Sequence, residues 1–293
     1  MAILFSGGLD CTLLARLTHD MISHTEPIDL LNVAFENPRI HKTESAPYEI
    51  CPDRITARAS FAELQLTCPG RKFRLICINV PFTESRLHRQ KVVDLIHPHN
   101  TEMDLSIAFA LYFASRGVGT TAPDNSKPEE IIQCTTPARV LLSGLGADEL
   151  FGGYQRHAVA FSRKGHSGLL DELDLDISRL GKRNLGRDDR VISHWGKEAR
   201  YPYLDEDVVA WALRAPLWEK MGFGIGADES SELEGDAGDQ MQIEDGKLLL
   251  RLLAWKLGMP RVAREKKRAV SFALCVLSSK GNVLTVMLDS IRC

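Results

Sequence analysis

The chain twice runs a short apolar strand straight into a turn of serine and glycine, and from there into an acid. Met1 to Phe5 leads into Ser6-Gly7-Gly8-Leu9-Asp10-Cys11, and Ala138 to Ser143 leads into Gly144-Leu145-Gly146-Ala147-Asp148-Glu149. A strand, a glycine turn and a helix in succession form the repeating unit of an open parallel sheet. The fold class expected is therefore α/β, with helices on both faces of the sheet. In such sheets ligands bind outside the carboxyl ends of the strands, where the strand order reverses, and both turns are expected on that rim.

The other apolar runs fit this frame. Ile28 to Phe35 and Phe73 to Val80 read as buried central strands, and Cys11 to Leu17 as the start of a helix with Leu13, Leu14 and Leu17 facing inward. Residues 36–72 carry Pro38, Pro47, Pro52 and Pro69 around a helical stretch from Thr56 to Leu66, an elaboration or a lid over the sheet edge. Thr101 to Arg116 reads as a helix that buries Met103, Ile107, Ala110, Leu111 and Ala114 and stops at Gly117. From Tyr154 the spacing turns helical, as in Val208, Val209, Trp211, Ala212 and Leu213 and again over Leu248 to Leu257. The division expected is a nucleotide-binding α/β region over 1–153 and a mainly helical region over 154–293. Residues 227–245 hold eight acids and no base and read as a mobile exposed loop. Lys247 and Arg251 follow, and then the basic run Arg264, Lys266, Lys267 and Arg268.

Composition removes several classes of partner. With 36 Lys and Arg against 39 Asp and Glu, the net charge of -3 supplies no field for a phosphate backbone, so no nucleic-acid partner is expected. Seven cysteines without a CxxC pair read as reduced thiols, hence a cytoplasmic protein. No apolar run has transmembrane length and the start has no signal-peptide pattern, so no membrane partner is expected. His97 and His99 have no third ligand nearby, and Trp195, Trp211, Trp218 and Trp255 read as packing residues.

The chemistry concentrates in the two turns. Ser6 to Cys11 offers backbone N–H groups, a hydroxyl and a helix N-terminus to an anion, with Asp10 placed to hold magnesium. The sequence is neither a Walker A loop nor GxGxxG, and on its own it also reads as a tight turn that needs small residues. The second turn adds the acids Asp148 and Glu149, which serve equally as favourable charges at a helix start. Two such turns on one rim are what a magnesium-nucleotide site requires.

These residues resemble the synthetase half of asparagine synthetase, in the ATP pyrophosphatase superfamily. The family fingerprint SGGLDS corresponds to Ser6 through Cys11, SGxGxDExFGGY to Ser143 through Tyr154, and GxExRxPFLD to Gly196 through Asp205. Lys247 and Arg251 fall on its KxxLR segment, and Arg264 and Lys266 on its terminal RxK segment. The segments VAFEN, PDRIT, INV and EKKRAVSF are similar to a divergent subgroup of the family.

The resemblance implies an adenine nucleotide alpha hydrolase-like sheet and an ATP-dependent ligase. ATP activates the side-chain carboxylate of aspartate, or of another small acid, as an adenylate; pyrophosphate leaves; ammonia then attacks. It implies ATP and Mg2+ as cofactors, with Asp10 and Asp148 on the metal. Ser6, Gly7, Gly8, Leu9, Asp10, Cys11, Ser143, Gly144 and Gly146 would lie around the phosphates, and Val33 and Phe35 near the adenine. Lys247, Asp148 and Glu149 would be catalytic, although Lys247 by spacing alone reads as a surface lysine. The basic run would meet phosphate or guide pyrophosphate release.

Three departures bear on activity. Leu145 stands where the family has an acid, and Ser106 where it places a basic residue near the substrate. A degenerate ATP-binding or interaction module is thus an alternative, as is a ligase for a different acid. The family's glutaminase nucleophile, a cysteine after the initiator methionine, is replaced by Ala2. A chain opening on a core strand leads one to expect a missing N-terminal portion, and ammonia from a glutaminase domain encoded there. Cys11 is no substitute nucleophile, since its place in the turn belongs to a residue that binds.

Overall fold

The long apolar runs become the centre of a sheet because both of their faces are covered. The computed structural model describes residues 1–38, 46–122, 130–224 and 243–267. Strands β1 (Ala2–Leu4), β2 (Ile28–Phe35), β3 (Phe73–Val80), β4 (Val118–Thr121), β5 (Ile132–Thr135), β6 (Val140–Leu142) and β7 (Glu198–Arg200) form one sheet, ordered β5-β4-β3-β2-β1-β6-β7. Pairing is parallel from β3 through β2, β1 and β6 to β7, and antiparallel at β3-β4 and β4-β5. The expected parallel sheet therefore gains an antiparallel edge, and the helical half of the chain contributes a strand, β7.

Alternation along the strands divides the core in two. Ile3, Leu30, Phe73 and Leu75 face a layer built on helices α1 (Leu9–Met21) and α2 (Pro52–Thr67). Ala2, Leu31, Ile76 and Ile78 face α3 (Phe82–Ile96) and α4 (Glu102–Arg116). Arg71, 6% exposed, closes the end of α1 by donating to the carbonyls of His19, Ile22, Ser23 and Glu26. This satisfies a helix terminus that would otherwise bury unpaired acceptors.

Several elements differ in extent from expectation. α1 begins at Leu9, which puts Asp10 in its first turn, and α2 begins at Pro52. Thr101 caps α4 and Gly117 ends it in the left-handed conformation; Ala114 is buried as read and Ala110 and Leu111 are partly buried, but the face is centred on Leu105, Ala108, Phe109, Tyr112 and Phe113. Met103 is 58% exposed instead, because the aromatic side chains bury more apolar area than the stripe beside them. α3 carries no clear signal: beyond Ser85, only Val92, Val93 and Ile96 are buried along it.

The helical region continues through α5 (Ala147–Phe151), α6 (Gln155–Leu180), α7 (Gly186–Ser193), α8 (Glu206–Arg214), α9 (Leu217–Lys220), α10 (Leu248–Lys256) and α11 (Pro260–Ala263). Of the tryptophans, Trp195 and Trp255 pack against the cores as expected and Trp211, 41% exposed, stacks on Phe151, whereas Trp218 is 63% exposed. Residues 225–242, which hold most of the acidic run, and also Arg268, Cys275 and Cys293 lie outside the described residues. Among the described residues no helix is long and apolar enough to cross a membrane. Cys11, Cys51, Cys68, Cys77 and Cys134 are free thiols.

Candidate active site

The strand order reverses at β1, whose neighbours β2 and β6 lie on opposite sides of it. The two glycine turns leave the carboxyl ends of β1 and β6, so they meet at the switch point. Gly7 has φ 83° and sits where a Cβ would overlap the backbone of α2 at Ala57, so only glycine fits. A Cβ on Gly144 would lie 3.0 Å from that of Asp10, so the turns are in contact. Gly8 begins α1 without a side-chain cap, leaving the N–H groups of the first turn available to an anion.

The third motif supports the other two from beneath. Tyr203 is buried and donates its hydroxyl to the Asp10 carbonyl at 3.1 Å. Leu204 fills the space a side chain on Gly146 would need. The backbone N–H of Ser143 donates to the Arg200 carbonyl at 2.9 Å, while the Glu198 and Arg200 side chains pair with each other in solvent.

Two carboxylates and two lysines form the centre. The Lys247 ammonium lies 2.6 Å from Asp10 Oδ2 and 2.6 Å from Asp148 Oδ1, and Lys267 pairs with Asp148 Oδ2. Burial alone would raise the Asp148 pKa, but Lys247 and Lys267 outweigh it and hold the carboxyl at about 2. Burial likewise works against the Lys247 charge, and Asp10 and Asp148 outweigh it, so its pKa stands above the ordinary lysine value.

Lys247 reaches this position through its backbone. Its φ of 60° is left-handed, and its N–H donates to the Phe151 carbonyl at 2.8 Å. Its side chain crosses Gly153, where a Cβ would overlap both the Asp148 carboxylate and the lysine stem. Around the cluster opens a cleft of about 150 Å³, lined by Ser6, Gly8, Leu9, Asp10, Asp53, Thr56, Gly153, Glu244, Gly246, Lys247, Arg251, Glu265, Lys266 and Lys267.

Other residues singled out in the sequence lie elsewhere. Glu149 caps its own helix: its carboxylate accepts from the Gly146 N–H at 3.1 Å and the Tyr154 hydroxyl at 2.7 Å, and burial raises its pKa. Phe35 packs edge-on against Phe109 and Phe113, Val33 borders the same core, and neither lines the cleft. The Cys11 thiol donates to the Gly8 carbonyl at 3.3 Å and burial pushes its pKa up, which suits a packing role. Ser106 is fully buried.

Sequence reasoning passed over Asp53 and Thr56 as site residues, although PDRIT marks their position. It also passed over Gly153 and the contact between Lys267 and Asp148, which spans 119 residues and has no local pattern.

The donor set suits a magnesium ion completed by phosphate. Asp10 Oδ1 is buried with no hydrogen-bond partner, while its other oxygen and Asp148 converge on one ammonium. Among the described residues no three His, Cys, Asp or Glu side chains cluster as a metal cage. Mg2+ commonly binds through one or two carboxylates plus phosphate oxygens and water, and the residues present fit that pattern.

The family model of asparagine synthase matches residues 132–171 and 162–275. The chain is 38% identical to asparagine synthetase domain-containing protein 1 of Mus musculus over 300 residues, 93% of this chain and 45% of that protein. It is 39% identical to the Homo sapiens protein of the same name over 308 residues, 93% of this chain and 44% of that protein. Over 83 residues it is 49% identical to the putative asparagine synthetase (glutamine-hydrolyzing) 1 of Methanocaldococcus jannaschii, 28% of this chain and 15% of that protein. The chain thus spans somewhat under half the length of the first two relatives.

Proposed function

The chain belongs to the asparagine synthase family, and from that premise we propose that its cleft binds ATP with Mg2+ and activates a small carboxylic acid for attack by ammonia. The observation that carries the reading is the convergence of Asp10 and Asp148, from two turns at the switch point, on the Lys247 ammonium. Two carboxylates can hold the metal and the ammonium between them can meet phosphate oxygens, the two kinds of partner a magnesium pyrophosphate leaving group needs.

In this reading the Ser6 to Asp10 turn and the start of α1 hold the β- and γ-phosphates. Asp10 and Asp148 would hold Mg2+, which when bound offsets charge on the phosphates. Lys247, held beside the two carboxylates, meets the α-phosphate from that position, where its charge stabilises the transition state. An oxygen of the acid attacks the α-phosphorus and pyrophosphate leaves; ammonia attacks the resulting acyl carbon and AMP departs with the acid's oxygen. L-aspartate is the first acid to test. Ammonia from a glutaminase domain on a longer protein is part of the same proposal, as is a cytoplasmic location. Glu149 contributes by shaping the turn around Gly146, and Val33 and Phe35 by supporting the sheet beneath the base.

The test is pyrophosphate release from ATP with Mg2+, ammonium and a panel of acids led by L-aspartate. Acid-dependent pyrophosphate with matching AMP is expected, and pyrophosphate formed with none of the acids contradicts a ligase. Leu145, an apolar side chain in the second turn, favours a second reading in which nucleotide binds without amidation. Tight MgATP binding with no pyrophosphate release would select it.

A further inference from the structure

Arg251 lies on α10, four residues after Lys247, and is 3% exposed. Its guanidinium is spread over two separate backbone segments. Nε donates to the Gly246 carbonyl at 2.9 Å, Nη1 to the carbonyls of Ala263 and Glu265 at 2.8 Å each, and Nη2 to Glu244 Oε2 at 2.6 Å. Gly246 immediately precedes Lys247, and Glu265 stands two residues before Lys267. The same Glu244 carboxylate oxygen also accepts from the backbone N–H of Lys267 at 3.3 Å. The two segments fastened to one fork are thus the two whose lysines meet on Asp148.

We propose that Arg251 is a positioning residue that fixes the spacing of Lys247 and Lys267 over Asp148, and so holds the two cations of the cleft as a pair. A planar guanidinium presents donors in fixed directions and bridges both segments at once. A lysine in its place keeps the charge but reaches one segment at a time. The turn at Lys247 is also held by its own N–H on the Phe151 carbonyl and by the Gly222 N–H on the Asp245 carbonyl, at 2.8 Å each, but neither bond reaches the segment of Lys267, so loss of the guanidinium fork lets the two ammonium groups separate.

The test compares Arg251→Lys with Leu250→Ala, a cavity one residue earlier on the same helix, at matched loss of Tm. Reductive methylation followed by peptide mass spectrometry reads the accessibility of the Lys247 ammonium. The expected result is labelling of Lys247 at least ~10-fold faster in Arg251→Lys, through local opening, and little change in Leu250→Ala. Kinetics of acid-dependent pyrophosphate release should show kcat down ~100-fold in Arg251→Lys, with the KM for the acid changed far less. Wild-type labelling in Arg251→Lys, or equal exposure of Lys247 in both variants, overturns the proposal. The kinetic arm rests on the ligase reading above, and the labelling arm does not. A wild-type protein without pyrophosphate release removes that reading and leaves labelling to decide the role of Arg251.

Discussion

Lys247 is the residue on which the account turns, since its ammonium balances two carboxylates that would otherwise face each other. Lys247→Met should lower stability by about 3 kcal/mol by leaving buried charge unpaired. Thermal unfolding should also show millimolar Mg2+ raising the Tm of this variant more than that of the wild type, because the ion replaces the missing cation. Equal shifts would mean that Asp10 and Asp148 do not share a cation site. Gly153→Ala is a second residue-scale test. The added Cβ overlaps the Asp148 carboxylate and the Lys247 stem, so acid-dependent pyrophosphate release should fall ~100-fold. Activity within threefold of wild type would show that this crossing is not needed for turnover.

At the scale of elements, the third motif acts through the first. Tyr203→Phe removes the hydrogen bond to the Asp10 carbonyl and should cost about 1 kcal/mol in denaturant unfolding, with MgATP affinity reduced as the turn loosens. α7 carries a pH signature. Asp188 is 4% exposed, and burial, against the pull of Arg187, pushes its pKa up to about 6 from the ordinary 3.8. A raised folded-state value means the native protein binds the proton more tightly. The stabilisation is therefore present below the unfolded value and lost as pH rises through the folded one, about 3 kcal/mol in all and about 1–2 kcal/mol between pH 5 and 7.5. Asp188→Asn lacks this loss, so its stability relative to wild type should grow over that interval. A constant difference from pH 5 to 7.5 would mean that Asp188 does not titrate there.

At the scale of the whole molecule, the sequence was legible wherever a pattern is local. β2 and β3 are continuous apolar runs because both faces are buried, and the two glycine turns stand beside the strands that place them. β7, reading Glu-Ala-Arg, has no apolar run because its outer side chains meet solvent. The meeting of Asp10, Asp148, Lys247 and Lys267 joins four distant segments, and composition or periodicity carries no trace of such a meeting. The motif resemblance bridged that gap for Lys247, whose spacing alone suggests an exposed lysine and whose side chain is 4% exposed. It did not do so for Glu149, whose carboxylate turns back to cap its own helix.

If the cleft joins a carboxylate to the α-phosphate of ATP, as proposed, isotope transfer reads that step at the reacting atoms. The protein is incubated with MgATP, ammonium and L-aspartate labelled with oxygen-18 in its side-chain carboxyl, and then with other labelled acids. One oxygen-18 atom is expected in the phosphate of the AMP formed, in amounts equal to pyrophosphate. Unlabelled AMP, or ADP and inorganic phosphate in its place, would contradict it.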